Sequence, residues 1–227
     1  MKTFIFLHLL LSTLTCWSME KGKEQQRNVP LVMILGIDCS ATMNSSPEFS
    51  IELIDSLCHL VSKRESEIYI CFKEIGNPNN NGFKRLHLKK VPLVLSAQHT
   101  MAERIKQRQI IARTIEDNKK AIDNFIQELK LHNRNEQKTC INLFCMQAQK
   151  LFNEPQFIES EKLVCLYTDG YEDSKGNNHP QAVASSFDEK ITICTIGWVN
   201  ADKFKHQGKL YEFTDVQGFI SFINFLN

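Results

Sequence analysis

Continuous apolar runs alternate along the chain with segments in which apolar residues recur every three or four positions. Residues 29–37 form the plainest run, as expected of a strand covered on both faces, and residues 67–72, 163–167 and 191–197 read as further strands. Leu53, Ile54, Leu57, Leu60 and Val61 follow at helical spacing. Ser46-Pro47-Glu48 ahead of them reads as a helix start, with a capping Ser, Pro at the first helical position and an acid in the first turn. Thr100 and Glu103 have the spacing of a capping box and open a long helical stretch. Within it Ile111, Ile115, Ile122, Ile126 and Leu129 share a face, which predicts a core-facing stripe with a solvated back. The rival reading is a partner-binding helix, and a break is expected near Asp117-Asn118.

Residues 77–82 are a turn cluster. Residues 84–95 read as an edge strand in which Arg85, His87 and Lys89 alternate with Leu86, Leu88 and Lys90. Basic side chains on an edge discourage pairing with other chains, and that reading is preferred to a nucleic-acid patch. Strands alternating with helices predict an α/β fold of three layers, a mostly parallel central sheet with helices on both faces. In such sheets ligands bind outside the carboxyl ends of the strands.

The N-terminus changes the picture. Lys2 followed by the apolar residues 4–14 and the small Ser18 resembles an export signal. The expected organisation is a signal over residues 1–18, a polar linker over 19–28 and one domain over 29–227, in a secreted protein or one of the periplasm or cell envelope. Lipid attachment at Cys16 and an uncleaved anchor are the rivals, and either would be the chain's contact with a membrane. With a formal charge of +1 over 227 residues, no global field draws the protein to nucleic acid or to a membrane surface. Loss of Cys16 with the signal would leave an odd number of the eight cysteines. Cys71, Cys165 and Cys194 lie in apolar runs, where a thiol serves as a small buried hydrophobe. Without a Cys-x-x-Cys pair, a structural zinc site is not expected.

Candidate chemistry lies in three separated fragments where strands should end. These are Asp38-Cys39-Ser40-Ala41-Thr42, Thr139 before a helical stretch, and Thr168-Asp169-Gly170. Two carboxylates and three hydroxyls can converge there, an all-oxygen set suited to a hard cation such as Mg2+ or Mn2+.

The fragments resemble the von Willebrand factor A-type domain and its metal-ion-dependent adhesion site. That family's pattern is Asp-x-Ser-x-Ser in a first loop, Thr in a second, and Asp in a third, commonly within Thr-Asp-Gly. The resemblance implies that Asp38, Ser40, Thr42, Thr139 and Asp169 are the metal ligands. Thr42 replaces the usual Ser, and residues 138–142 lack the glycines that commonly precede the Thr. Residues 191–197 resemble the family's last central strand, and residues 208–213 and 216–226 its closing strand and helix.

The function this implies is binding of a protein partner, whose Glu or Asp carboxylate completes the metal's coordination. Two alternatives remain. One is a degenerate copy of the same fold that binds through its helical faces without metal. The other is a metal-dependent phosphoesterase using Asp38, although that chemistry calls for a second acid where Ser40 stands. No catalytic residues are otherwise assigned, and an enzyme is not expected. Cys39 and Cys140 flank two of the ligands, so pairing between them is one hypothesis and two separately packed thiols the other. Asn44-Ser45-Ser46 is a glycosylation pattern read as chance.

Overall fold

The computed structural model describes residues 29–38, 51–62, 66–76, 82–93, 99–130, 139–170, 187–197 and 208–226. Among these, six strands form one sheet: β1 (Leu31–Asp38), β2 (Ile68–Ile75), β3 (Lys84–Leu88), β4 (Glu161–Tyr167), β5 (Ile191–Ile196) and β6 (Lys209–Phe213). Their spatial order is β3-β2-β1-β4-β5-β6. Every neighbouring pair is parallel except β3, which runs antiparallel to β2 at one edge. The described helices are α1 (Ile51–Val61), α2 (Met101–Lys130), α3 (Ile141–Phe152) and α4 (Val216–Leu226).

Strand β1 is buried along its whole length because it lies mid-sheet with helices on either side. Its alternation divides the core. Leu31, Met33, Leu35 and Ile37 pack with residues of α1, α2 and α4, whereas Val32 and Ile34 pack with α3, Phe157 and Phe187. The fold is therefore the expected α/β arrangement of a mostly parallel sheet between helical layers.

Two expectations about the middle of the chain need correction. Strand β3 stops at Leu88 rather than near residue 95, and α2 runs unbroken through Asp117 and Asn118. One side chain explains both. The Lys89 backbone N–H donates to Asn118 Oδ1 at 2.9 Å, and Asn118 Nδ2 donates to the Lys89 carbonyl at 2.8 Å. Asn118 thus faces inward from the helix with its amide satisfied, and it takes up the backbone groups that would have extended the strand.

The capping box forms as read. The Thr100 N–H donates to Glu103 Oε2 at 2.8 Å, and the Glu103 N–H donates to Thr100 Oγ1 at 3.3 Å. The apolar stripe is a core face only in the C-terminal half of α2, where Ile122, Ile126 and Leu129 are buried. Ile115 is 53% exposed and Met101 64% exposed. The expected helix start at 46–48, most of the 77–82 turn, the export segment and the linker lie outside the described residues.

Candidate functional site

Chain order reverses around β1: the chain passes from β1 to β2 on one side and later returns to place β4 on the other. In open α/β sheets ligands bind at such a reversal, outside the carboxyl ends of the flanking strands, here β1 and β4. Asp38 is the last residue of β1, and Thr168 and Asp169 directly follow β4. Buried polar side chains gather at this end of the sheet, with Asp38, Glu74, Thr139, Thr168 and Thr195 among them. Isolated, such groups would cost several kcal/mol each, so their partners matter.

Asp38 is only 3% exposed. Thr139 Oγ1 donates to Asp38 Oδ1 at 3.2 Å, and Thr168 Oγ1 donates to Asp38 Oδ2 at 2.7 Å. Each carboxylate oxygen thus accepts a hydrogen bond from a hydroxyl on a segment more than a hundred residues away in sequence. Hydrogen bonds to an ionised acceptor are the stronger kind and favour keeping that acceptor charged.

The positions of both threonines follow from local structure. Thr139 lies two residues ahead of α3, whose first turn is closed by the Phe144 N–H donating to the Cys140 carbonyl at 3.1 Å. The α3 helix approaches β1 closely because residue 36 is glycine. A methyl there would sit 2.5 Å from Phe144 Cζ and within 2.9 Å of two neighbouring ring atoms. Gly36 therefore admits the Phe144 ring and lets α3 hold Thr139 beside Asp38. Thr168 is fixed from behind, since the Gly170 N–H donates to Thr168 Oγ1 at 3.1 Å. Gly170 has φ +83°, a backbone shape that side chains disfavour.

Of the five candidate ligands, Asp38 and Thr139 meet directly, and Asp169 is half-buried next to Thr168. Ser40 and Thr42 lie outside the described residues, as does Cys39, so the proposed Cys39–Cys140 pairing has no described geometry. Sequence reasoning named Thr168 within its motif but gave it no role. The available signal was a hydroxyl directly before Asp169 at a strand end. Gly36 was also passed over, although a lone glycine in a fully apolar strand marks a close approach.

The described donors suit a hard dication. They are oxygens only, and the hydroxyl that gives its proton to Asp38 keeps lone pairs for a cation. Among the described residues no three His, Cys, Asp or Glu side chains form a metal-holding group, so a site here would depend on hydroxyls and water beside its carboxylates. Four described core thiols take no part. Burial above all pushes Cys58, Cys71 and Cys194 up to about 12 and Cys165 well above its ordinary value, which leaves them protonated hydrophobes in the core. No described helix is long and apolar enough to cross a membrane.

No protein-family model matches the chain, and no curated protein matches it. Among solved structures it is similar to the pilus adhesin SpaC from Lactobacillus rhamnosus GG in its open conformation, at 12% identity and TM-score 0.44 over 88% of this chain and 30% of that one. It is similar to the manganese-loaded TRAP protein of Plasmodium vivax at 16% identity and TM-score 0.40, over 87% of this chain and 72% of that one. The VWA domain of SpRpn10 aligns at 13% identity and TM-score 0.37, over 83% of this chain and 88% of that domain. The chain thus spans less than a third of the adhesin, and its fold assignment rests on the strand order and register described above.

Proposed function

We propose that this protein is a von Willebrand A-like binding module that takes a Mg2+ or Mn2+ ion at Asp38, Ser40, Thr42, Thr139 and Asp169 and engages a protein partner there. The observation carrying this reading is the buried Asp38 carboxylate at the carboxyl end of the central strand, fixed by hydroxyls from two distant segments. Such a carboxylate is oriented before any ligand arrives, which lowers the cost of binding one. Asp38 and Asp169 supply charge, while Ser40, Thr42 and Thr139 add dipoles without charge. When bound, the dication offers a coordination position to one more anionic oxygen, such as a Glu or Asp carboxylate of the partner. A secreted or envelope location accompanies the proposal, on the strength of residues 1–18.

A second reading has its own observation. Met101, Ile105, Ile110 and Ile115 are exposed on the N-terminal half of α2, which favours a module that binds through this helix without metal. The phosphoesterase reading is weaker. That chemistry calls for a second acid two residues after the nucleophile, where Ser40 stands.

Calorimetric titration of Mg2+ and Mn2+ into the purified protein and into Asp38→Ala and Asp169→Ala tests the proposal. Saturable binding in the wild type that is lost in both variants is expected. Absence of heat in the wild type, with no metal-dependent rise in melting temperature, would turn attention to α2.

A further inference from the structure

The polar line at the strand ends extends one strand beyond Asp38 and Thr168. Thr195 on β5 is 1% exposed, and its hydroxyl has no hydrogen-bond partner among the described residues. An unsatisfied buried hydroxyl costs about 1–3 kcal/mol, so a threonine here calls for a physical reason. Valine has the same shape and would avoid that cost.

Register supplies the reason. Thr195 pairs with Leu166 across the β4–β5 ladder. Thr168, two residues beyond Leu166, therefore projects from the same face as Thr195, one rung further toward the carboxyl end. The two hydroxyls do not bond to each other, since Thr195 Oγ1 has no partner among the described residues, but one water molecule between diagonal neighbours can join them. Thr168 has capacity for such a bridge. Its proton goes to Asp38 and one lone pair accepts the Gly170 N–H, which leaves a second lone pair.

We propose that Thr195 and Thr168 hold a buried water between them, forming a chain from Thr195 through that water and Thr168 to Asp38. A water donating to Thr168 completes the hydroxyl's hydrogen bonds and commits its single proton to Asp38. Thr195 is then a positioning residue: it touches neither metal nor partner and acts through Thr168 on the orientation of the carboxylate. Buried waters that join polar side chains in this way are integral parts of a fold.

A high-resolution crystal structure of the metal-free protein tests the bridge directly. The expected result is a water peak within hydrogen-bond distance of both Thr195 Oγ1 and Thr168 Oγ1, kept in Thr195→Ser and lost in Thr195→Val. An empty or apolar-filled gap between the two hydroxyls in the wild type would overturn the proposal. The functional consequence rests on the metal reading above and is measured separately, as Mn2+ affinity. Thr195→Val should weaken it about tenfold, as loss of a supporting group does, with Thr195→Ser restoring it. Equal affinity in wild type and Thr195→Val would refute the positioning role. A wild type that binds no Mn2+ would refute that role together with the metal site, and the crystallographic result would still decide the bridge.

Discussion

The middle of the sheet and its carboxyl-terminal rim are equally buried and chemically opposite. One rung holds Cys71, Ile34, Val164 and Ile193, all sealed from solvent and all apolar. A few residues further along the same strands, the buried positions are Asp38, Thr168 and Thr195. Burial of aliphatic groups stabilises by roughly 25 cal/mol per Å². Burial of a carboxylate and hydroxyls costs free energy that hydrogen bonds only offset. The rim is thus the part of the sheet that stability alone does not explain, and the natural place to look for function.

Substitutions in the two regions should separate stability from binding. Ile34→Ala, in the interior, should cost about 2–5 kcal/mol in urea unfolding, while leaving the metal affinity of the molecules that remain folded within about twofold. Gly36 lies where the regions meet. Gly36→Ala should destabilise by about 1–3 kcal/mol, because the added methyl meets the face of the Phe144 ring and α3 must shift. Since α3 leads in from Thr139, the same change should also weaken Mn2+ binding, which calorimetry would detect. Thr168→Val, within the rim, removes the donor to Asp38 Oδ2 and the acceptor of the Gly170 N–H. It should cost about 1–3 kcal/mol and affect binding more than Ile34→Ala does.

The smallest effect belongs at the sheet edge, away from both regions. Arg85 on β3 forms two hydrogen bonds with Glu154, at 2.6 and 2.8 Å. These bonds above all hold the Glu154 carboxyl below its usual range, against a smaller opposing effect of burial. A depressed folded-state value means the stabilisation is fully present above the ordinary glutamate pKa and is lost as pH falls through the folded-state value. The pair is largely solvated, so Arg85→Ala should cost less than about 1 kcal/mol at pH 7. The difference from wild type should vanish in unfolding curves recorded well into the acid range.

The contrast between regions also shows what could be read from the sequence. β1, β4 and β5 were legible because strands covered on both faces leave short runs rich in apolar residues. The capping box at Thr100 was legible because its partners are three residues apart. The continuity of α2 was not, because Asp117-Asn118 resembles a breaker until Asn118 is seen bonded to Lys89, far away in sequence. Ile115 matched the helical period of Ile122 and Ile126, but periodicity does not reveal where the sheet beneath a helix begins. At the rim, residue types and order marked Asp38, Thr139 and Asp169. The hydroxyl of Thr168 and the gap at Gly36 acquire meaning only when strands and helix are brought together.

The most direct test of the central claim, that the rim holds a dication, is to count free Mn2+ by electron paramagnetic resonance as the protein is added. Wild type and the interior variant Ile34→Val should each remove one equivalent of Mn2+ from the free signal, saturably and with similar affinity. Asp38→Asn, which preserves shape and removes charge, should leave the signal near that of buffer. Equal depletion of free Mn2+ by wild type and Asp38→Asn, or no depletion by wild type, would contradict the account.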